Sequence, residues 1–233
     1  MIRVSGLVKR FGGKLVLRGL GYAVTPGEFV ALLGPNGAGK STFLRILASL
    51  ARPTLGDLEV AGFRLPAQAG DVRARLGFVG HQPLLYGDLS ADQNLSLYAR
   101  LYAIPEPTQR IDELLDLLSL RRYRREPVRV YSRGMQQRLA IGRAILHRPE
   151  LLLLDEPHTG LDQEAVGVLN TLLRDLSAGG CTILMASHDL ANAAQLAGRF
   201  DILAGGHIAA SATAAEVSGK RLARLYAEAV AYA

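Results

Sequence analysis

Leu32-Leu33-Gly34-Pro35-Asn36-Gly37-Ala38-Gly39-Lys40-Ser41-Thr42 is the stretch on which the interpretation of the whole chain depends. It has the spacing G-x-x-x-x-G-K-[ST], and the apolar runs on either side predict a strand, a glycine-rich loop and a helix. Glycines let successive backbone N–H groups point into one concavity, and the N-terminus of the helix adds about half a positive charge. The loop therefore predicts a polyphosphate cradle, in which Lys40 contacts the β- and γ-phosphates and Ser41 ligates Mg²⁺. A glycine-rich turn without a ligand is the alternative.

The composition suits one large domain or a core with a small subdomain. The chain has 233 residues, of which 49% are hydrophobic, and this supports a packed core. The net charge of +6 fits an anionic ligand, an anionic membrane surface or nucleic acid without choosing among them. The single cysteine, Cys181, excludes an internal disulfide and is expected to be a small buried residue. We find no signal-peptide pattern and no apolar run of about 18 residues, so we expect the chain not to span a bilayer.

Hydrophobic patterning predicts a sheet-based core with a helical insertion. Short β-type runs on either side of the turn at residues 11–14 indicate an antiparallel sheet before the phosphate loop. Buried-strand patterns follow later, separated by helical patterns, which favours a mainly parallel central sheet. We predict an α/β fold with a P-loop NTPase core and an N-terminal antiparallel β subdomain at residues 1–85 and 145–210. An α-helical subdomain is inserted at residues 86–144, and residues 211–233 form a helical tail.

Polar side chains follow three of the predicted buried strands. Gln82 follows the strand at 76–80, Asp155 and Glu156 follow the strand at 151–154, and His188 follows the strand at 181–186. Ligands of parallel α/β sheets bind at the carboxyl ends of the strands. We expect Gln82 and Asp155 to support a nucleotide-bound metal, Glu156 to accept a proton from water, and His188 to contact the γ-phosphate. For Gln82 a capping role is the alternative, and for the two acids a chance pair.

Two further features carry alternatives that the sequence leaves open. Phe11 lies in the turn before the cradle, where an aromatic ring could stack on a purine or simply cover the core. The basic run at residues 121–125 could contact lipid head groups or a partner, although a solvated helix end is the more usual role of such a run.

The segment that begins at Ser132 predicts a helix start with an unusual charge. Ser132 is a typical N-cap, yet Arg133 and Arg138 place cations near the end of the helix that normally favours anions. This mismatch, of about 0.3–1 kcal/mol per charge, indicates that an anion is recruited there.

Taken together, these motifs resemble the nucleotide-binding subunit of an ABC transporter over essentially the whole chain. Walker A is Gly34 to Thr42, Walker B runs from Leu151 to Glu156, and the signature segment is Ser132 to Gln136. Gln82 matches the Q-loop glutamine, Asp162 ends the D-loop, and His188 matches the H-loop histidine. The resemblance places Phe11 where the family carries an aromatic residue that stacks on adenine.

The resemblance implies a partnership as well as an activity. Two subunits would enclose two molecules of ATP with Mg²⁺, so that Ser132, Gly134 and Gln136 of one subunit face the Walker A loop of the other. The dimer would contain two copies of this chain or a similar subunit, and a membrane permease would carry it on the cytoplasmic face and choose the substrate. The family usually has glycine where this chain has Arg133, and glutamine where it has Met135. Arg133 therefore puts the strength of dimer closure in question.

Among ABC subunits, the chain resembles short ones that serve export permeases. The segment Gly80-His81-Gln82-Pro83, with Asn94-Leu95 and Tyr98, is similar to the haem-exporter subunit of cytochrome c maturation. Export of a drug, lipid or polysaccharide is the alternative. A soluble ABC-type ATPase acting on DNA or ribosomes is less favoured because sustained heptads are missing, and we expect no nucleic-acid partner. A small-molecule P-loop kinase would leave the signature segment and His188 unused, and a pure binding module would not need Glu156.

Overall fold

The computed structural model describes residues 1–217 and 219–231, in which strands and helices alternate around two sheets. The strands are β1 (Ile2–Phe11), β2 (Lys14–Val24), β3 (Phe29–Leu33), β4 (Leu55–Val60), β5 (Phe63–Leu65), β6 (Leu76–Val79), β7 (Leu151–Asp155), β8 (Thr182–Ser187), β9 (Arg199–Ala204) and β10 (His207–Thr213). The helices are α1 (Lys40–Leu47), α2 (Ala69–Arg75), α3 (Ala91–Leu101), α4 (Pro107–Leu117), α5 (Arg133–Ile145), α6 (Gln163–Ala178), α7 (Leu190–Leu196) and α8 (Gly219–Ala231).

The larger sheet has the order β10-β9-β3-β8-β7-β6 and is parallel except for the β9–β10 pair. The smaller sheet, β2-β1-β4-β5, is antiparallel and contains the hairpin that turns at Gly12 and Gly13. The prediction of a mainly parallel core with an N-terminal antiparallel sheet is therefore confirmed. Its physical basis is the patterning, since the central strands β3, β7 and β8 are buried at every residue and so read as continuous apolar runs.

Strand β3 divides the interior into two hydrophobic cores. Val30 and Leu32 face a core shared with α1 and the antiparallel sheet. Phe29, Ala31 and Leu33 face a second core shared with helices α3 to α6. Because successive side chains of a strand point to opposite faces, both faces of the parallel sheet are covered. This fixes the carboxyl ends of β3, β6, β7 and β8 at one edge, directly beside the phosphate loop.

The helical region begins with a capping box at Ser90 and Gln93 and contains α3 and α4. Two of the four arginines in its basic run are paired with acids inside the subdomain. Arg121 pairs with Asp112 and Asp116, and Arg124 pairs with Asp112 at 2.8 Å and with Asp92 at 2.7 Å. These two arginines therefore stabilise the subdomain. Fewer charges of the run remain to contact lipid head groups than the sequence alone suggests.

The prediction that a helical tail begins at residue 211 is wrong. Residues 211–213 belong to β10, which pairs with β9 from Thr213 to His207. The alternation of small residues there suits a strand at the edge of a sheet, and the alanine content obscured this in the sequence. Helix α8 forms the rest of the described tail, while Ser218, Tyr232 and Ala233 lie outside the described residues. Helix α5 ends at Ile145, within one residue of the predicted subdomain boundary at 144–145.

A candidate site for nucleotide binding and hydrolysis

The phosphate loop has a backbone that only glycine fits at two positions. Gly39 has φ of +109° and is the N-cap of α1, so Lys40 is the first helical residue. Gly34 has φ of +154°, and a Cβ atom there would overlap the carbonyl oxygen of Leu203. The loop therefore curls tightly between β3 and α1, and the N–H groups at the start of α1 point into the concavity.

Lys40 lies beneath the loop with only 6% of its side chain exposed. Its Nζ donates hydrogen bonds to the carbonyl oxygens of Gly34 at 2.6 Å and Pro35 at 3.3 Å, and it lies 3.6 Å from Oε1 of Glu156. Burial lowers the pKa of Lys40, and the carboxylates of Glu156 and Asp155 oppose that shift. The ammonium is thus held between the loop and the end of β7, where a phosphate would meet it.

Oxygen ligands suited to Mg²⁺ meet beside the lysine. The Ser41 hydroxyl donates to Oδ1 of Asp155 at 2.9 Å, and Asp155 is itself buried. The second carboxylate oxygen of Asp155 lies 3.2 Å from Nδ1 of His81. Within residues 1–217 and 219–231, no group of three or more acidic, histidine or cysteine side chains could hold a metal ion. A hydroxyl with one carboxylate fits Mg²⁺, which takes its remaining ligands from water and substrate phosphates.

Glu156 and His188 form the second half of the site. The two residues extend neighbouring strands β7 and β8, and the N–H of Glu156 donates to the carbonyl of Ala186 at 3.0 Å. Nδ1 of His188 lies 2.8 Å from Oε2 of Glu156. A carboxylate can only accept, so this contact assigns the Nδ1 proton to His188 and directs its Nε2 outward. Glu156 is 11% exposed and His188 56%, so the histidine stands at the mouth of the cleft.

A cleft of 570 Å³ connects these groups with the turn after β1. Its lining includes Phe11, whose side chain is 54% exposed and has the Lys9 ammonium over its ring at 4.6 Å from the ring centre. This ring covers no core, which favours the stacking role over the alternative. The rest of the lining is Lys14, Val16, residues 35–42, His81, Glu156, Thr159 and His188.

Gln82, a predicted strand-end residue, does not line this cleft, whereas Asp155 is joined to it by the hydrogen bond from Ser41. Its side chain is exposed and does not line the cleft, whereas the neighbouring His81 reaches Asp155. The strand β6 ends at Val79, so residues 80–83 run as an irregular segment in which alternation no longer decides where a side chain points. Sequence reasoning missed His81 for this reason, and its only signal was its place beside Gln82.

The signature segment starts a long helix away from the cleft lining. Ser132 caps α5 by accepting a hydrogen bond from the N–H of Met135 at 3.2 Å, as predicted. The Gln136 amide donates to the carbonyls of Val128 and Tyr131, so this side chain holds the preceding turn together. Among the residues described, the cleft lining includes no member of the segment at 132–136. The segment therefore lies outside the cleft that contains the phosphate loop, and Arg133 and Gln136 line a smaller neighbouring pocket that also includes Glu156.

The two departures in the signature segment have local structural explanations. Met135 packs against the core that the helices share with the sheet. The Arg133 guanidinium lies against Gly160, where a methyl group would overlap it. Arg133 thus covers the segment after Glu156 and remains exposed on its other side.

Comparison with known proteins places this geometry in a family. The family model described as ABC transporter matches residues 17–159. The daunorubicin resistance ATP-binding protein DrrA3 of Streptomyces coeruleorubidus is 40% identical over 227 residues, which are 95% of this chain and 72% of that protein. The chain belongs to the ABC transporter family. As a member, it is an ATP-binding subunit and an ATPase whose hydrolysis is coupled to transport.

Other relatives extend the likeness to export and to a dimer. The Nod factor export ATP-binding protein I of Ralstonia nicotianae is 38% identical over 198 residues, which cover 84% of this chain and 62% of that protein. A dimeric structure of a post-hydrolysis state of an ATP-binding cassette, bound to ADP and Pi, is 27% identical with a TM-score of 0.84. That likeness covers 92% of this chain and 99% of the other. None of the helices in the described ranges of this ABC subunit is long and apolar enough to cross a membrane.

Proposed function

We propose that this ABC subunit drives export through a separate membrane permease by hydrolysing Mg²⁺–ATP in a closed dimer. The observation that carries the proposal is the convergence of Lys40, Ser41, Asp155, Glu156 and His188 at one edge of the parallel sheet. These groups come from three elements that lie far apart in the sequence. Together they offer a phosphate cradle, a metal ligand set and a base next to an oriented histidine.

The chemistry assigned to each side chain follows from its position. The loop N–H groups and Lys40 bind the β- and γ-phosphates, and Ser41 and Asp155 hold Mg²⁺, which neutralises phosphate charge. Glu156 accepts a proton from the attacking water, because its carboxylate is largely buried yet reaches the cleft. His188 keeps that carboxylate in place through Nδ1 and presents Nε2 to the γ-phosphate. For Gln82 we retain a role at the metal only if the segment at 80–83 moves, since its side chain lies outside the cleft.

The partner supplies the groups that the cleft of a single chain lacks. At the N-terminus of α5, Ser132 and Arg133 are exposed and the first turn carries no acid. Within the described ranges, this turn does not line the cleft of the phosphate loop. A helix end of this kind favours an anion. The dimeric relative bound to ADP and Pi supports an arrangement in which Ser132 and Gly134 of one subunit complete the phosphate site of the other, with Gln136 supporting their turn. The second subunit is either another copy of this chain or a similar subunit.

Drug export is the substrate class that the relatives favour. Their names refer to daunorubicin resistance and to Nod factor export. Haem export for cytochrome c maturation has no support from these relatives. The permease would bind the substrate and hold this subunit on the cytoplasmic face of the membrane, so that membrane contact is indirect. Nucleic-acid binding gains no support, since Arg121 and Arg124 are paired with acids within the chain.

The proposal is tested by isolating the tagged chain from detergent-solubilised membranes and identifying the proteins that accompany it. We expect a multi-spanning permease, and we expect vesicles containing the complex to accumulate daunorubicin only when Mg²⁺–ATP is supplied. Co-purification with a soluble partner in place of a permease would contradict the transport role. A specific ATPase activity that stays constant when the chain is diluted would contradict hydrolysis by a dimer. Uptake of haem without daunorubicin would restore the haem-export alternative.

A further inference from the structure

Three polar side chains next to the hydrolysis site form a hydrogen-bond chain that begins in the interior and ends on the half-buried carboxylate of Asp189. Nε2 of His158 lies 2.7 Å from Oδ1 of Asn170, and Nδ2 of Asn170 lies 3.5 Å from Oδ1 of Asn192. Nδ2 of Asn192 then lies 2.6 Å from Oδ2 of Asp189. His158 is 9% exposed and Asn170 is 4% exposed, so the first link is shielded from water. We name these four residues the relay.

Chemistry fixes the direction of every hydrogen bond in the relay. The carboxylate of Asp189 can only accept, so the nearby group of Asn192 must be its amide nitrogen, and its oxygen must face Asn170. The amide of Asn170 is then oriented in the same way, with its oxygen toward His158. Nε2 of His158 must therefore carry a proton and donate it. The remaining ring nitrogen, Nδ1, is buried without a partner among the described residues, which suits a neutral ring. Burial also lowers the pKa of His158.

The relay joins the two segments that carry the hydrolytic side chains. His158 lies two residues after Glu156, and Asp189 directly follows His188. Asp189 accepts hydrogen bonds from the N–H groups of Ala191 and Asn192, which fixes the start of α7. Because Glu156 and His188 also contact each other at 2.8 Å, the two segments and the relay form a closed ring. Moving either segment would stretch a hydrogen bond on each side of it.

The ring explains how Glu156 keeps its unusual backbone. Glu156 has φ of +54°, a region that residues other than glycine occupy only where surrounding contacts impose it. Its carbonyl accepts from the N–H of Thr159 at 3.2 Å, and the carbonyl of His158 accepts from the N–H of Leu161 at 3.2 Å. These turn bonds are local, whereas the side chain of His158 ties the turn to helix α6. His158 thus adds a buried contact from this turn to α6, beside the bonds of Glu156 to β8 and His188.

We propose that His158 is a positioning residue for ATP hydrolysis, which acts through Asn170 and Asn192 to hold Glu156 and His188 in register. The proposal rests on the hydrolytic roles given to those two residues under Proposed function. In this role His158 affects hydrolysis without contacting the nucleotide or the metal. We therefore expect an effect on turnover rather than on ATP affinity, since the phosphate loop lies on other elements.

Steady-state hydrolysis by the assembled complex tests the proposal with three variants. His158→Phe keeps an aromatic ring but removes the donor, and we expect kcat to fall about 10- to 100-fold, as small misplacements of catalytic groups do. We expect the KM for ATP to stay within about twofold of the parent value by the same argument. His158→Gln places an amide N–H₂ near the position of Nε2 and should recover most of kcat. Asn170→Asp keeps the acceptor for His158 but cannot donate to Asn192, and it should lower kcat without changing KM.

A matched control separates positioning from general destabilisation. Leu173→Ala opens a cavity in the same helix α6, where Leu173 is fully buried, and it should lower the thermal midpoint while kcat below that midpoint is retained. The proposal is overturned if His158→Phe turns over like the parent, if it and His158→Gln lose kcat equally, or if Leu173→Ala loses as much. Should His158→Phe fail to fold, a parental kcat in Asn170→Asp would overturn it instead. Parental turnover by Glu156→Gln would instead refute the base assignment under Proposed function, whatever the relay variants show.

Discussion

Replacing Glu156 by glutamine isolates the charge of the proposed base from its shape. The substitution keeps an oxygen that can accept from Nδ1 of His188, a contact of 2.8 Å in the parent. It also leaves the backbone strain unchanged, because glutamine tolerates the φ of +54° no better than glutamate does. The variant should therefore fold with the cleft intact and lack only the negative charge.

The magnitude of the effect differs for catalysis and for stability. General-base catalysis contributes about 10²- to 10⁴-fold, which is about 2.7 to 5.4 kcal/mol of transition-state stabilisation. The attraction between Lys40 and Glu156 at 3.6 Å is about 5 kcal/mol at an effective dielectric constant of about 20, but desolvation of the two charges offsets most of it. We therefore expect turnover to fall by at least about 100-fold, while the free energy of unfolding changes by no more than about 1–2 kcal/mol.

Phosphate release and nucleotide binding are measured on the same preparations. Glu156→Gln should bind ATP at least as tightly as the parent, and size-exclusion chromatography with Mg²⁺–ATP should show more dimer because hydrolysis no longer reopens it. Glu59→Gln is the matched control, since Glu59 pairs with Arg3 on the antiparallel sheet and does not line the cleft. Hydrolysis by Glu156→Gln at the parental rate would refute the assignment of the base and the reasoning from burial that supports it.

Three further substitutions test separate parts of the structure. If Phe11 stacks on the base as we propose, Phe11→Ala should weaken ATP binding by about 1–3 kcal/mol. The thermal midpoint should not fall, because the side chain is 54% exposed, and unchanged affinity would contradict stacking. Gly134→Ala places a methyl group 2.9 Å from Cβ of Ala165 and should reduce hydrolysis more than nucleotide binding, whereas Gly167→Ala, with open space around it, should leave hydrolysis intact. His147→Phe should reduce the loss in free energy of unfolding that the parent shows as the pH falls. Burial lowers the pKa of His147 to about 4, so the parent loses stability as pH falls from about 6.5 toward 4, by about 1–2 kcal/mol after allowance for partial exposure. Equal losses in urea titrations of parent and variant at pH 7.5 and pH 5 would contradict this account.

The sequence by itself determined the phosphate loop, the strand-end acids and the class of fold. These features depend on local rules, since glycine spacing, a following lysine and continuous apolar runs each constrain only a few neighbouring residues. Asp155, Glu156 and His188 were predictable because Asp155 ends a strand that is buried at every residue, and Glu156 and His188 directly follow such strands. The resemblance of the motifs to ABC subunits then supplied the partner and the signature role.

Only the tertiary structure decided which polar side chains meet. Gln82 and His81 are adjacent in an irregular segment, and the fold directs His81 to Asp155 while Gln82 stays exposed. The pairing of Arg121 with acids of the helical subdomain likewise depends on how α4 and the following turn pack. The relay from His158 to Asp189 joins residues 31 positions apart through two helices, and no local pattern marks it. Such contacts depend on the relative placement of whole elements, which burial of the two cores fixes only once the chain has folded.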